Sequence, residues 1–130
     1  MWPIKIDKIR RLQIEITSFC NAQCPSCERA KYEVLPEHIY KRHLNSIEIS
    51  LDQIKKWLPL DKMKSLMHIH LCGNIDEPTL HPNLYEICKY LEDNTPDHIW
   101  IHISTNGGTR NKKFWETMAT LDRTLIIFGS

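Results

Sequence analysis

The chain has 130 residues, 42% of them hydrophobic, with 17 Lys and Arg against 16 Asp and Glu for a net charge of +1. That composition describes one soluble globular domain and excludes a disordered chain. Charges interrupt the apolar stretches, the longest purely apolar run being Leu125 to Phe128; this excludes a transmembrane helix or signal-peptide core and places the protein in the cytoplasm, and without a Lys or Arg block a nucleic-acid or anionic-membrane partner is not expected.

In chain order, Leu12, Ile14 and Ile16 alternate with Gln13, Glu15 and Thr17, the period of a first strand. Residues 18–49 then form an insertion that holds most of the cysteines. Ser50 with Gln53 makes a capping box for a helix carrying Leu51, Ile54 and Leu58. Leu66 to Cys72 form a second strand. Pro82 opens a second helix with Leu84, Ile87, Cys88 and Leu91 on one face. Ile99, Ile101 and Ile103 mark a third strand, Asn111 caps a helix with Phe114, Trp115 and Met118, and Leu125 to Phe128 form a fourth strand. Strand and helix in strict alternation imply βαβ crossovers and a parallel sheet, so the class is α/β.

Three thiols, Cys20, Cys24 and Cys27, lie within eight residues directly after the first strand. Without a secretion signal, such crowding reads as metal ligation better than as a disulfide framework. Thiolates are soft ligands, and a three-cysteine site leaves one metal position open for a substrate or cofactor. The alternative is a non-catalytic zinc module using Cys24, Cys27, His38 and His43, whose spacing approaches that of a finger. It ranks second, because Pro36 disrupts the helix turn leading into His38 and Cys20 is left without a role. Three buried thiols without any metal fit poorly in a polar, Pro-containing loop. Cys72 and Cys88 read as core residues; His68, His70, His98 and His102 read as packing or surface histidines, and Glu28 and Arg29 as solvated charge.

Cys20-x3-Cys24-x2-Cys27 after the first strand of an α/β chain resembles the signature of the radical S-adenosylmethionine (SAM) superfamily. Gly73-Asn74-Ile75-Asp76-Glu77-Pro78, followed by Leu80-His81-Pro82, resembles that family's Gly-Gly-Glu-Pro segment and its following Leu-His-Pro. Ser104-Thr105-Asn106-Gly107-Gly108 resembles its Thr-Asn-Gly turn, and Ser130 stands where the family places a polar residue near the SAM ribose.

The resemblance implies a truncated, partial TIM-type barrel of parallel strands, residues 1–130 supplying the first four βα units of the radical SAM core and the chain stopping short of the full barrel. It implies a 4Fe-4S cluster held by Cys20, Cys24 and Cys27, and SAM bound by Gly73, Asn74, Asp76, Glu77, Pro78, Ser104, Asn106 and Ser130. Gly73 would let backbone approach the methionine end, and the exposed carbonyls and acids from Asn74 to Glu77 would accept from the SAM ammonium. The implied activity is reductive cleavage of SAM to a deoxyadenosyl radical that abstracts hydrogen from a substrate. An electron donor such as flavodoxin or ferredoxin is the implied partner, and no catalytic residue beyond the cluster ligands is assigned. Peptide, nucleotide and small-metabolite substrates all stay open.

Overall fold

A computed structural model describes residues 5–22, 24–27, 47–72 and 75–129. Four strands, β1 (Arg11–Gln13), β2 (His68–Leu71), β3 (Trp100–Thr105) and β4 (Thr124–Phe128), form one sheet in the order β1-β2-β3-β4, with every pairing parallel. Three helices stand between them: α1 (Leu51–Trp57), α2 (Leu84–Asp93) and α3 (Lys112–Met118). The sheet is open, consistent with part of a barrel. The expected α/β class and parallel order are both present.

Successive strand residues point to opposite faces, which separates the sheet into two chemistries. On the helix-covered face Ile69, Leu71, Ile101 and Ile103 are fully buried and pack with Ile54, Leu84, Ile87, Cys88, Leu91 and Met118. Each such side chain contributes about 1.5–3 kcal/mol by leaving water. Register fixes the opposite face, where Arg11 pairs with His68, His70 with His102, and His102 with Leu125. That face is polar on β1 to β3 except at Trp100, which shares the register of His68, and apolar on β4 at Leu125 and Ile127, all three of them exposed.

Helix starts follow their caps. Ser50 accepts from the Gln53 amide while the Gln53 side chain accepts from the Ser50 amide, the expected capping box. Asn111 likewise accepts from the Phe114 amide at 3.0 Å.

The second strand is shorter than expected, running His68–Leu71, and two further boundaries differ for a visible reason. The first strand stops at Gln13 because the chain changes partner: Ile14 donates to the His70 carbonyl, but Ile16 then accepts from the Ile49 amide at 2.8 Å and Ser18 donates to the Ile47 carbonyl at 2.9 Å. An antiparallel bridge joins Thr17 to Glu48. The insertion is thus fastened at its two roots. The second helix begins at Leu84 and not at Pro82, because the His81 ring accepts the Asn83 amide and holds residues 82 and 83 in a turn.

Candidate functional site

Beyond the carboxyl ends of the strands, a concavity of about 180 Å³ is lined by Cys20, Ala22, Cys24, Cys72, Asp76, Glu77, Ser104, Thr105, Asn106 and Gly129. Loops converge at this end of a parallel sheet, which is where ligands bind in such folds. Three stretches far apart in sequence therefore meet in one hollow. Cys20 and Cys27 are half-buried and Cys24 is exposed, and none of the three is in a disulfide. The Cys20 sulfur accepts the Ala22 amide at 3.4 Å, and the Cys27 amide closes a turn on the Cys24 carbonyl at 3.0 Å.

Direct hydrogen bonds tie these loops together. The Glu77 amide donates to the Phe19 carbonyl at 2.7 Å, joining the loop after β2 to the root of the cysteine loop. Asn106 donates through Nδ2 to Asn21 Oδ1 at 2.8 Å, joining the turn after β3 to the cysteine loop itself. The same Asn106 accepts the Gly108 amide at 2.8 Å, and Gly107 takes a φ of 69° that favours glycine. Asn106 therefore serves as both an Asn-Gly turn and a wall of the pocket.

Glu77 corrects the expectation of exposed acids. It is 3% exposed. Its Oε1 accepts from the Thr105 hydroxyl at 2.5 Å, the Thr79 hydroxyl at 2.6 Å and the Thr79 amide at 3.2 Å, while Oε2 accepts the Asn106 amide at 2.8 Å. A buried carboxylate is tolerable only when so satisfied. Its use is architectural: it positions the turn that presents Ser104 and Asn106. Pro78 is buried beside it in a short 3-10 turn, Pro78–Leu80. Asp76 stands half-buried on the pocket wall.

Further residues of the network were not anticipated. Thr79 exchanges a hydrogen bond with Thr109 at 2.6 Å, and Arg110 donates to the carbonyls of Thr79 at 2.5 Å and His81 at 2.9 Å. The available signal was Thr105, a polar residue in the helix-facing register of Ile101 and Ile103. His81 is buried, with Nδ1 accepting the Asn83 amide and Nε2 donating to the Ile49 carbonyl at 3.0 Å. Burial holds its pKa below the ordinary 6.5. Cys88 is core, as expected, but Cys72 is not: it lines the pocket, and burial first, then Asp76, Glu77 and Glu15, pushes its thiol up to about 11. Gly73, Asn74, Ser130, His38, His43, Glu28 and Arg29 lie outside the described residues.

Three thiols are soft donors of the kind an iron-sulfur cluster takes. Among the described residues no three His, Cys, Asp or Glu side chains converge on one metal. A four-iron cluster takes each thiolate on a different iron, so its ligands stand further apart than those of one ion.

Comparison with known proteins agrees with this geometry. No curated protein matches the chain. The crystal structure of BtrN in complex with AdoMet and 2-DOIA superimposes with a TM-score of 0.60 at 21% identity, covering 94% of this chain and 46% of that one. The structure of SeMet BtrN in an open conformation gives 0.55 at 20% identity, covering 95% of this chain and 58% of that one. The chain thus spans about half the length of these structures, and the likeness is one of fold. The family description "Radical SAM superfamily" matches residues 14–128, nearly the whole chain and all three motifs. The chain belongs to the radical SAM superfamily.

Proposed function

We propose that this chain binds a 4Fe-4S cluster through Cys20, Cys24 and Cys27, and SAM in the adjoining pocket, as part of a radical SAM enzyme. One observation carries the reading: the cysteine loop, the Asp76-Glu77 segment and the Ser104-Asn106 turn, separated by up to 85 positions, line one hollow and are hydrogen-bonded to each other. A cluster held by these three cysteines would supply the single electron for reductive cleavage of SAM. The protein's own part is ligation, orientation and exclusion of water. Asp76 and the backbone carbonyls from Asn74 to Glu77 accept from the SAM ammonium, with Gly73 letting backbone approach. Ser104, Asn106 and Ser130 offer polar contacts to the rest of the cofactor, while Glu77 and Pro78 shape the turns that carry these groups. A reduced flavodoxin or ferredoxin is the proposed electron source.

Cys20 separates this reading from a zinc module. It lines the pocket beside Cys24, whereas a two-cysteine, two-histidine finger gives it no task. Anaerobic reconstitution with iron and sulfide should give a brown protein with about four irons per chain, and SAM should perturb its spectrum. Cys20→Ala should abolish iron uptake. One tightly held zinc without sulfide, surviving Cys20→Ala and lost in His38→Ala, would establish the finger instead.

A further inference from the structure

The sheet face turned away from the helices carries a second concavity, of about 250 Å³, lined by Arg11, His68, His70, His102 and Ile127. Register accounts for it. Arg11 pairs with His68 and His70 with His102, so one guanidinium and three imidazoles gather from three adjacent strands. The His102 ring stands edge-on to its neighbours, its centroid 5.5 Å from that of His68 and 4.9 Å from that of His70. Both β2 histidines were expected to be packing or surface residues, yet they form one wall of this hollow.

Two features mark the hollow as lacking a negative guest. Among the described residues no carboxylate pairs with Arg11. His102 Nε2 is buried and has no hydrogen-bond partner among the described residues, which costs free energy until it is satisfied. The charged groups acting on the His102 ring are all cationic: burial lowers its pKa first, followed by His70, His68 and Arg11. From β4 the hollow meets only the apolar side chain of Ile127.

We infer that this hollow binds a small oxyanion, a carboxylate or a phosphate, held by the Arg11 guanidinium and by imidazole N–H groups that include His102 Nε2. Guanidinium pairs with both oxyanions through a fork of donors, and such bonds are stronger than neutral ones. The placement suggests a use. His70 and His102 each stand two residues below Cys72 and Ser104, which line the cysteine pocket, so at a strand rise of about 3.3 Å per residue the hollow lies about 7 Å beneath it. An oxyanion here would anchor one end of a substrate while its other end faces the SAM pocket. That use rests on the proposed function; the oxyanion site itself does not.

The test uses the full chain without iron or SAM, so that its failure leaves the reconstitution result untouched. Histidine ring resonances are followed by NMR while inorganic phosphate, or separately succinate, replaces chloride at constant ionic strength. Saturable shifts of His68, His70 and His102, with the exposed His98 unmoved and the His102 pKa rising toward 6.5, are expected. Arg11→Gln, an exposed position whose change spares the core, should weaken binding at least tenfold. Saturation by phosphate alone names a phosphate, by succinate alone a carboxylate, and by both the shared chemistry. No saturable shift with either anion, equal movement of His98, or unchanged affinity in Arg11→Gln overturns the site.

Discussion

The two ends of the sheet are each organised around one buried glutamate, and the two glutamates do different work. At the amino ends, Glu92 is 8% exposed and accepts from the Asp122 and Arg123 amides and the Thr124 hydroxyl, fixing the start of β4 against the last turn of α2. The Arg123 guanidinium completes this end by donating to the carbonyls of Glu92, Thr95, Pro96 and Ile99. A cation over the C-terminus of a helix also suits its dipole. At the carboxyl ends, Glu77 gathers Thr79, Thr105 and Asn106 and leaves an open pocket beside them. Around Glu92 the chain is tied to itself, while beside Glu77 it leaves the cysteine pocket open. This is the division between stability and chemistry expected of parallel α/β folds.

The division breaks most visibly at Arg123. Arg123→Ala leaves several carbonyls without their donor, and because part of the site is reached by water the expected loss is about 2–3 kcal/mol. Urea denaturation should report that loss, while iron bound per folded chain after reconstitution stays at the wild-type value. Loss of iron binding in a chain that is still folded would show that the amino end reaches the site.

Glu77→Gln tests the opposite end. Its amide group substitutes a donor for one acceptor facing the Asn106 amide or the Thr105 and Thr79 donors, so a cost of about 1–3 kcal/mol is expected. Here the functional effect should exceed the structural one: the turn carrying Ser104 and Asn106 shifts, and SAM affinity measured by calorimetry on the reconstituted protein falls by at least tenfold. Equal SAM affinity in wild type and variant would show that the carboxylate serves stability alone.

What was legible in the residues was whatever depends on local pattern. Alternation at Ile99, Ile101 and Ile103 and the Ser50 and Asn111 caps act within a few residues, and each appears where its pattern points. The contacts that pattern cannot report are those made across the loops. Glu77 looked like an acceptor for a ligand because its donors, Thr105 and Asn106, lie 28 and 29 positions away. Cys72 looked like core because it ends an apolar run, but strand parity places it on the polar face with His68 and His70. The shortening of β1 likewise follows from a partner, residues 47–49, that no local period announces.

A smaller effect is a pH dependence set by two histidines, His81 in the carboxyl-end loops and His102 in the middle of β3. Burial lowers the folded-state pKa of His81 below 6.5. Above 6.5 the ring is neutral in both states and its contribution is fully present. As pH falls below 6.5 the unfolded chain takes up a proton that the folded ring resists, so stability declines. Urea midpoints should drop between pH 7.5 and 5.5. His102 has the same sign, so the His81 share is read as the reduction of that drop in His81→Gln; an unchanged slope would locate the dependence elsewhere.

The smallest expected effect concerns a residue at the carboxyl end that belongs to stability only. Asn111 caps α3 through the Phe114 amide at 3.0 Å and faces solvent, outside the pocket lining. Removing such a cap costs about 1 kcal/mol. Asn111→Ala should therefore lower the urea midpoint slightly and leave both iron content and SAM affinity unchanged, although it lies only five positions after Asn106. The reason is mechanical: Arg110 lies between them, holding its own backbone at a φ of 72° while its side chain clamps the carbonyls of Thr79 and His81. Fraying at the start of α3 stops at that clamp. A SAM affinity that falls in step with the lost stability would show instead that the turn after β3 draws its rigidity from the helix, and that nearness to the carboxyl end, more than membership in the Glu77 network, decides which residues the site depends on.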